Sequence, residues 1–145
     1  MMEDYFMKIY LASPLFNEKE IKNIEKAEKI LRDRGFTVFS PREHEVRDAQ
    51  VGSHSWSLDV FNMDRKFIDW CDCMVMLYYG NYTDTGTAWE CGYAYGIHKP
   101  CIVVQLGKDS NLMVHEGSHA NITMEELKSY DFEMMPNKSY AGEMF

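Results

Sequence analysis

Two short stretches of this chain, CMVMLYY at residues 73–79 and PCIVVQL at residues 100–106, are almost uninterrupted runs of apolar residues. A strand with one face in water alternates apolar and polar residues, so a continuous apolar run indicates a strand buried on both faces of a parallel sheet. Parallel strands need a crossover segment between them, and a helical pattern separates these two runs. The chain is therefore predicted to be an α/β protein with helices on both faces of the sheet.

The other elements are predicted from periodicity and turn residues. Asn17 can cap a helix, Glu20 three residues later completes a pattern like a capping box, and Gly35 supplies the stop. Strands are predicted at 9–12, 36–40, 73–79 and 100–106, and helices within 17–35, 56–72, 87–98 and 124–130. This β-α-β-loop-α-β-α-β-α order predicts a single, doubly wound (flavodoxin- or Rossmann-like) domain over residues 1–145, with right-handed crossovers.

In such a sheet, ligands bind beyond the carboxyl ends of the strands. The polar segment after the second strand is long for a compact domain, and loops of that length are more often functional than idle. Whether residues 41–57 close over a bound substrate stays open at this point. The loops predicted at the ligand-binding edge are 13–17, 40–55, 79–86 and 106–118.

Charge and hydropathy exclude several partners. The chain has 15 basic and 23 acidic residues, a formal net charge of −8, whereas binding to nucleic acid or an anionic membrane needs clustered Lys and Arg. No stretch approaches the roughly 20 apolar residues of a membrane span. The N-terminus also lacks the build of a signal peptide. A cytoplasmic protein with no nucleic-acid or membrane partner is therefore predicted.

No metal or cofactor motif is present in the sequence. It contains no H-E-x-x-H, calcium loop, G-x-G-x-x-G, Walker A or G-x-S-x-G pattern, so neither metal nor organic cofactor is expected. None of the cysteines forms a C-x-x-C pair. We expect buried, reduced thiols at the four positions Cys71, Cys73, Cys91 and Cys101.

Glu90 is the most unusual residue of the chain, because it lies in a helical stretch of small and aromatic residues that reads as buried. Burying an unpaired ion is costly. With Asp84 or Thr85 as the helix cap, Glu90 would lie in about the first turn, where the helix dipole favours an anion. Asp84 and Glu90 then bracket one strand-to-helix corner at the ligand-binding edge.

Asp64 is the third candidate carboxylate. Its helical neighbours at i±3 and i±4 are Val60, Phe61, Phe67 and Ile68, so its side chain is expected to point toward the apolar side of the helix. On spacing alone, an ordinary turn or helix-surface role is the more common one for each of the three acids. If they are functional, the chemistry is acid–base work or covalent attack on an electrophilic carbon.

Three segments of the sequence, KIYLASPLF, VFSPRE and above all DTGTAWECGYAYGIHKP, resemble the nucleoside 2-deoxyribosyltransferases. The resemblance runs from about Lys8 to about Phe132, and the Asp-x-Gly-Thr-x-x-Glu-x-Gly block is its most specific part. The broader superfamily includes nucleoside monophosphate N-glycosidases with a similar block. The motif therefore indicates the chemistry better than the substrate.

The resemblance implies a role for each carboxylate. Glu90 falls on the family nucleophile, which attacks the anomeric carbon of a 2′-deoxynucleoside and forms a deoxyribosyl ester that a second, free nucleobase resolves. Tyr10 falls on the tyrosine that orients it. Asp64 falls on the aspartate that exchanges protons with the leaving and incoming bases, and Asp84 on the one that binds the sugar hydroxyls.

The resemblance also implies further contacts and an assembly. Ser13 and Phe16 border the same cleft, where Phe16 could stack on a base or be an ordinary surface hydrophobe, and Gly86 belongs to the substrate-binding block. Family members place an asparagine of a neighbouring subunit against the 5′-hydroxyl. That position falls on Ala120 here, with Asn121 one residue away, and Ser118 or His119 could act instead. A homo-oligomer with shared active sites is therefore expected.

Three functions remain open from the sequence. The first is deoxyribosyl transfer between nucleobases. The second is hydrolysis of a nucleoside or nucleoside 5′-monophosphate, in which water replaces the second base. The third belongs to another class, a nucleotide-binding module without turnover. This function is disfavoured by the joint presence of four candidate catalytic residues, Glu90, Asp84, Asp64 and Tyr10.

Overall fold

The computed structural model describes residues 6–145. These residues form a five-stranded sheet, all parallel, in the order β2-β1-β3-β4-β5. The fold class is the predicted one, with four of the strands at the predicted places. The strands are β1 Lys8–Ala12, β2 Thr37–Phe39, β3 Cys73–Tyr78, β4 Cys101–Gln105 and β5 Ala120–Ile122.

Five α-helices connect or follow the strands within the described residues, and two short 3₁₀ turns occur at Pro41–Glu43 and Tyr82–Asp84. The predicted cap at Asn17 is confirmed, because its side-chain oxygen accepts a hydrogen bond from the Glu20 amide at 2.9 Å. None of the helices in residues 6–145 is long and apolar enough to cross a membrane. The helices are α1 Glu18–Asp33, α2 His54–Trp70, α3 Thr85–Gly96, α4 Leu112–Gly117 and α5 Met124–Leu127.

The sheet separates two hydrophobic cores, as expected for helices on both of its faces. Side chains alternate along β1, so that Ile9 and Leu11 lie in the core beneath α1 and α5, whereas Tyr10 and Ala12 lie in the core beneath α2 and α3. Every residue of β3 is buried, which explains its unbroken apolar sequence. The four cysteines are buried free thiols, as predicted.

Helix α2 is less buried than its sequence predicts from an apolar stripe, formed by the helically spaced apolar residues from Trp56 to Trp70. Of its residues, all within the described part of the chain, Ile68 alone is fully buried. The Phe67 ring anchors the helix by stacking on Phe39, with ring centroids 3.8 Å apart and an angle of 8° between the planes. The N-terminal half of α2 therefore leaves an open cleft between itself and α3.

The beginning of the long polar segment is tied to α1. Arg42 in the 3₁₀ turn pairs with the buried Glu28 at 2.9 and 2.5 Å, and Arg32 pairs with Glu43 at 2.9 and 2.6 Å. Double Arg–carboxylate hydrogen bonds fix geometry as well as charge. Any closing movement of the 41–57 segment would therefore have to begin after Glu43.

Candidate active site

Glu90 meets Tyr10 on the face of the sheet covered by α2 and α3. The phenol hydroxyl of Tyr10 donates a short hydrogen bond to one Glu90 carboxylate oxygen, and the Tyr10 ring is fully buried beside Phe39. Burial and the nearby charges of Glu90 and Asp64 raise the pKa of Tyr10 well above its usual range. Tyr10 therefore remains a donor that fixes the orientation of the carboxylate.

Glu90 does not lie in the first turn of its helix, and that prediction is wrong. A 3₁₀ turn at Tyr82–Asp84 precedes α3, which begins at Thr85, so Glu90 is in the second turn. The influence of the helix dipole falls off within the first turn. Burial instead raises the pKa of Glu90 from its ordinary 4.5 to about 8, opposed by the Tyr10 hydrogen bond and aided by the charge of Asp64.

Asp64 lies on α2, across the cleft from Glu90. Burial raises its pKa from 3.8 to about 6. Its Oδ1 atom is buried and has no hydrogen-bond partner among residues 6–145. A carboxyl group with an elevated pKa and an unused oxygen is suited to exchanging a proton with a bound molecule.

Glu90 and Asp64 line one cavity of about 450 Å³ between α2 and α3. A cavity of this size is within the range of small-molecule sites. No three His, Cys, Asp or Glu side chains of the described residues are grouped so as to hold a metal ion. The lining residues are Trp56, Ser57, Val60, Phe61, Asp64, Arg65, Ile68, Gly86, Trp89 and Glu90.

Of the predicted substrate-binding residues, Gly86 lines this cavity and Asp84 does not. Asp84 is buried, and its carboxylate accepts hydrogen bonds from the amides of Tyr79 at 3.1 Å and Asn81 at 2.8 Å. It also lines a separate cavity of about 820 Å³ between α3 and α4. In the described chain, its contacts hold the corner that leads from β3 into α3.

Gly80 is required at the same corner. Its φ is +79°, a conformation that residues with a Cβ rarely adopt, and a Cβ there would lie 2.2 Å from the Asp109 carbonyl oxygen. The close approach of the 106–111 loop, which leads into α4, and the hydrogen bonds of Asp84 together fix where α3 begins. The corner therefore determines the position of Glu90 on the cavity.

We expect Asp84→Ala to destabilise the fold strongly. The substitution leaves the buried Tyr79 amide and the partly buried Asn81 amide without partners, and an unsatisfied buried donor costs roughly 1–3 kcal/mol. The free energy of unfolding, measured with urea, should fall by about 2–4 kcal/mol. Asp109→Ala, at an exposed acid near the same corner, is the matched control and should change it by less than about 0.5 kcal/mol. Equal effects of the two variants would contradict this role.

The other three predicted contacts lie outside the lining of the Glu90 cavity. Ser13 donates its hydroxyl to the Pro14 carbonyl at 2.7 Å, and the Phe16 ring is largely exposed. Asn121 is buried in β5, where its amide contacts His115, Ser118 and Lys138 of the same chain. These contacts occupy both polar atoms of the Asn121 side chain within the described chain.

Sequence reasoning missed three aromatic residues of the cavity, namely Trp56, Phe61 and Trp89. Trp56 was predicted only as part of the apolar stripe of α2. Trp89 directly precedes the candidate nucleophile, and Phe61 is three residues before Asp64, so each is a helical neighbour of a candidate carboxylate. The position of Trp89 and Phe61 next to these carboxylates is the sequence feature that could have identified them as cavity residues.

Comparison with known proteins agrees with this arrangement. A family model described as nucleoside 2-deoxyribosyltransferase matches residues 9–133. A solved structure, described as a 2-deoxyribosyltransferase from the psychrotolerant bacterium Bacillus psychrosaccharolyticus, is 44% identical with a TM-score of 0.86, covering 92% of this chain and 98% of its own.

A second structure, a conserved protein from Enterococcus faecalis V583, is 22% identical with a TM-score of 0.58, covering 94% of this chain and 81% of its own, and shares the fold. No curated protein sequence matches the chain. The family match spans most of the sequence, including Tyr10, Asp64 and Glu90. This chain belongs to the nucleoside 2-deoxyribosyltransferase family.

Proposed function

We propose that this protein transfers 2-deoxyribose from a 2′-deoxynucleoside to a free nucleobase. The observation that carries the proposal is the hydrogen bond from Tyr10 to Glu90 at the edge of a cavity that also contains Asp64. Family membership supports the choice of sugar and base as substrates. Glu90 is the nucleophile, Asp64 the proton donor and acceptor, and Tyr10 the residue that orients Glu90.

In the first step, a Glu90 oxygen forms a bond to C1′ while the glycosidic C1′–N bond breaks. The electron pair of that bond leaves with the base, which takes the proton of Asp64. In the second step, a nitrogen of the incoming base attacks C1′, its proton passes to Asp64, and the ester electron pair returns to Glu90. Two inversions retain the configuration at C1′, and both steps balance without a cofactor.

The direct test is to mix deoxyinosine with free adenine or cytosine and to separate the products by chromatography. Formation of deoxyadenosine or deoxycytidine is the expected result. Hypoxanthine release at the same rate with and without an acceptor base would establish a hydrolase instead. The absence of any product would exclude catalysis on these substrates.

We further propose that residues 1–145 act as one domain, in the cytoplasm, within a homo-oligomer. Four buried, unpaired cysteines are typical of a reducing compartment. Large apolar side chains are exposed in the turn before α3, at the end of α3 and on α4, namely Tyr82, Tyr95 and Met113. Exposed apolar surface is typical of protein contacts. Light scattering after size-exclusion chromatography would report a monomer if the assembly proposal is wrong.

We expect Tyr10→Phe to reduce kcat/KM by about 10- to 100-fold, as is usual when one positioned hydrogen bond is lost. The Tyr10 hydrogen bond lowers the pKa of Glu90, so its loss should raise that pKa further. The ionised fraction at neutral pH then falls, and the alkaline limb of the pH–rate profile, which follows the higher pKa of the Glu90–Asp64 pair, should move to higher pH. Steady-state rates between pH 5 and 9.5 measure both effects, and an unmoved alkaline limb would contradict the assignment.

A further inference from the structure

Trp89 is the residue directly before Glu90 and lies on the wall of the same cavity. About half of the residue's surface, 49%, is exposed. A large aromatic side chain that is half uncovered beside a reacting centre offers apolar area to whatever enters the cavity. Trp89 is not part of the hydrophobic core beneath α2 and α3.

The orientation of the Trp89 ring is fixed from two sides. Tyr93, one turn later on α3, stacks on it with planes 5° apart and centroids at 5.5 Å, and Phe61 of α2 contacts it at 5.2 Å with an angle of 60°. The Tyr93 hydroxyl is itself held by Asp69 of α2 at 2.5 Å. A preorganised ring loses little freedom when a ligand binds.

The rest of the cavity wall offers a planar, uncharged ligand few competing polar contacts. Around Trp89 the wall is formed largely by Trp56, Val60, Phe61 and Ile68. Nucleobases are flat heteroaromatic rings, and base–aromatic stacking tolerates any base because every base has a π-face. The carboxyl group of Asp64 lies on the same cavity, where it can meet a ring nitrogen.

We propose that Trp89, supported by Phe61, is the principal nucleobase-stacking residue of this site and sets the affinity for the acceptor base. This inference rests on the proposed function, because it assigns the cavity to the base. Since stacking grows with ring area, Trp89 should contribute more to binding of the bicyclic base adenine than of the monocyclic base cytosine.

The test measures binding of free adenine and free cytosine to the whole protein by calorimetry, together with kcat for transfer at saturating acceptor. Free bases carry no deoxyribose, so binding is measured without turnover. Trp89→Leu should raise the Kd for adenine by about 5- to 150-fold and the Kd for cytosine by less, with kcat changed less than about threefold. Trp89→Phe, which keeps a π-face, should retain most of the affinity.

Trp70→Phe is the matched control, because Trp70 packs against Phe67 and Lys8 and is not part of the cavity wall. A Kd within twofold of wild type in Trp89→Leu would overturn the proposal, as would absence of adenine binding by the wild-type protein. A large loss of kcat with unchanged Kd would assign Trp89 a packing role between α2 and α3. Trp89-dependent adenine binding without transfer would leave this inference standing and reject the transferase proposal.

Discussion

Glu90→Gln should abolish deoxyribosyl transfer while stabilising the folded protein at alkaline pH. Glutamine keeps the size of the side chain and can still accept the Tyr10 hydrogen bond, but it cannot form the ester to C1′. Loss of a covalent nucleophile commonly costs about 10⁴-fold or more in kcat. Mass spectrometry of the protein mixed with deoxyinosine should detect a deoxyribosyl adduct on the wild type and none on the variant.

The stability gain follows from the raised pKa of Glu90. In the folded protein this pKa is about 8, against an ordinary 4.5, so folding favours the protonated form. The resulting stabilisation is complete below about pH 4.5 and is lost as the pH rises through 8. At pH 9 the wild type therefore holds an ionised carboxylate in a poorly solvated position, and glutamine removes that cost.

We expect Glu90→Gln to raise the free energy of unfolding at pH 9 by about 1–3 kcal/mol, with a much smaller difference at pH 5. Urea unfolding at the two pH values measures this. Glu116→Gln replaces an exposed glutamate on α4 and should change neither stability nor transfer. If Glu90→Gln retained wild-type rates, or lost stability at pH 9, the nucleophile assignment or its burial would be wrong.

The fold was predictable because its central strands have a distinctive apolar sequence. β3 and β4 are buried on both faces and therefore had to be continuously apolar, which made them visible in the sequence. β5 was missed because Ala120–Ile122 is only three residues long and contains Asn121. This strand is held by pairing with β4 on one side and by hydrogen bonds from Asn121 to the C-terminal segment on the other. Both are contacts with distant parts of the chain, so local sequence does not predict them.

The contact between Tyr10 and Glu90 was predictable from the resemblance, whereas the electrostatics of the candidate site were not. Tyr10 and Glu90 are 80 residues apart, and only the resemblance joined them before the structure placed them in contact. The expected effect of the helix dipole failed because the helix was predicted over residues 87–98, whereas α3 begins two residues earlier, at Thr85. Glu90 therefore lies in the second turn, where burial rather than the helix dipole governs its pKa.

That elevated pKa of Glu90, together with the elevated pKa of Asp64, leads us to expect a bell-shaped dependence of kcat/KM on pH, with limbs near 6 and near 8. The first step needs Glu90 ionised and Asp64 protonated, so the pair must hold one proton in total. Below about pH 6 both groups are protonated, and above about pH 8 neither is. The limbs belong to the coupled pair rather than to either residue.

Asp64→Asn should change the shape of this profile as well as its height. Without a proton donor, kcat should fall by about 10²–10⁴-fold, and the alkaline limb should disappear because only Glu90 ionisation remains to be satisfied. The single remaining acid limb should follow the pKa of Glu90 and therefore lie above the wild-type limb near 6. It should lie somewhat below 8, since the charge of Asp64 no longer raises the pKa of Glu90. Asp59→Asn, at an exposed position of the same helix, should leave the wild-type bell intact. An alkaline limb that persists in Asp64→Asn would show that another group supplies the proton.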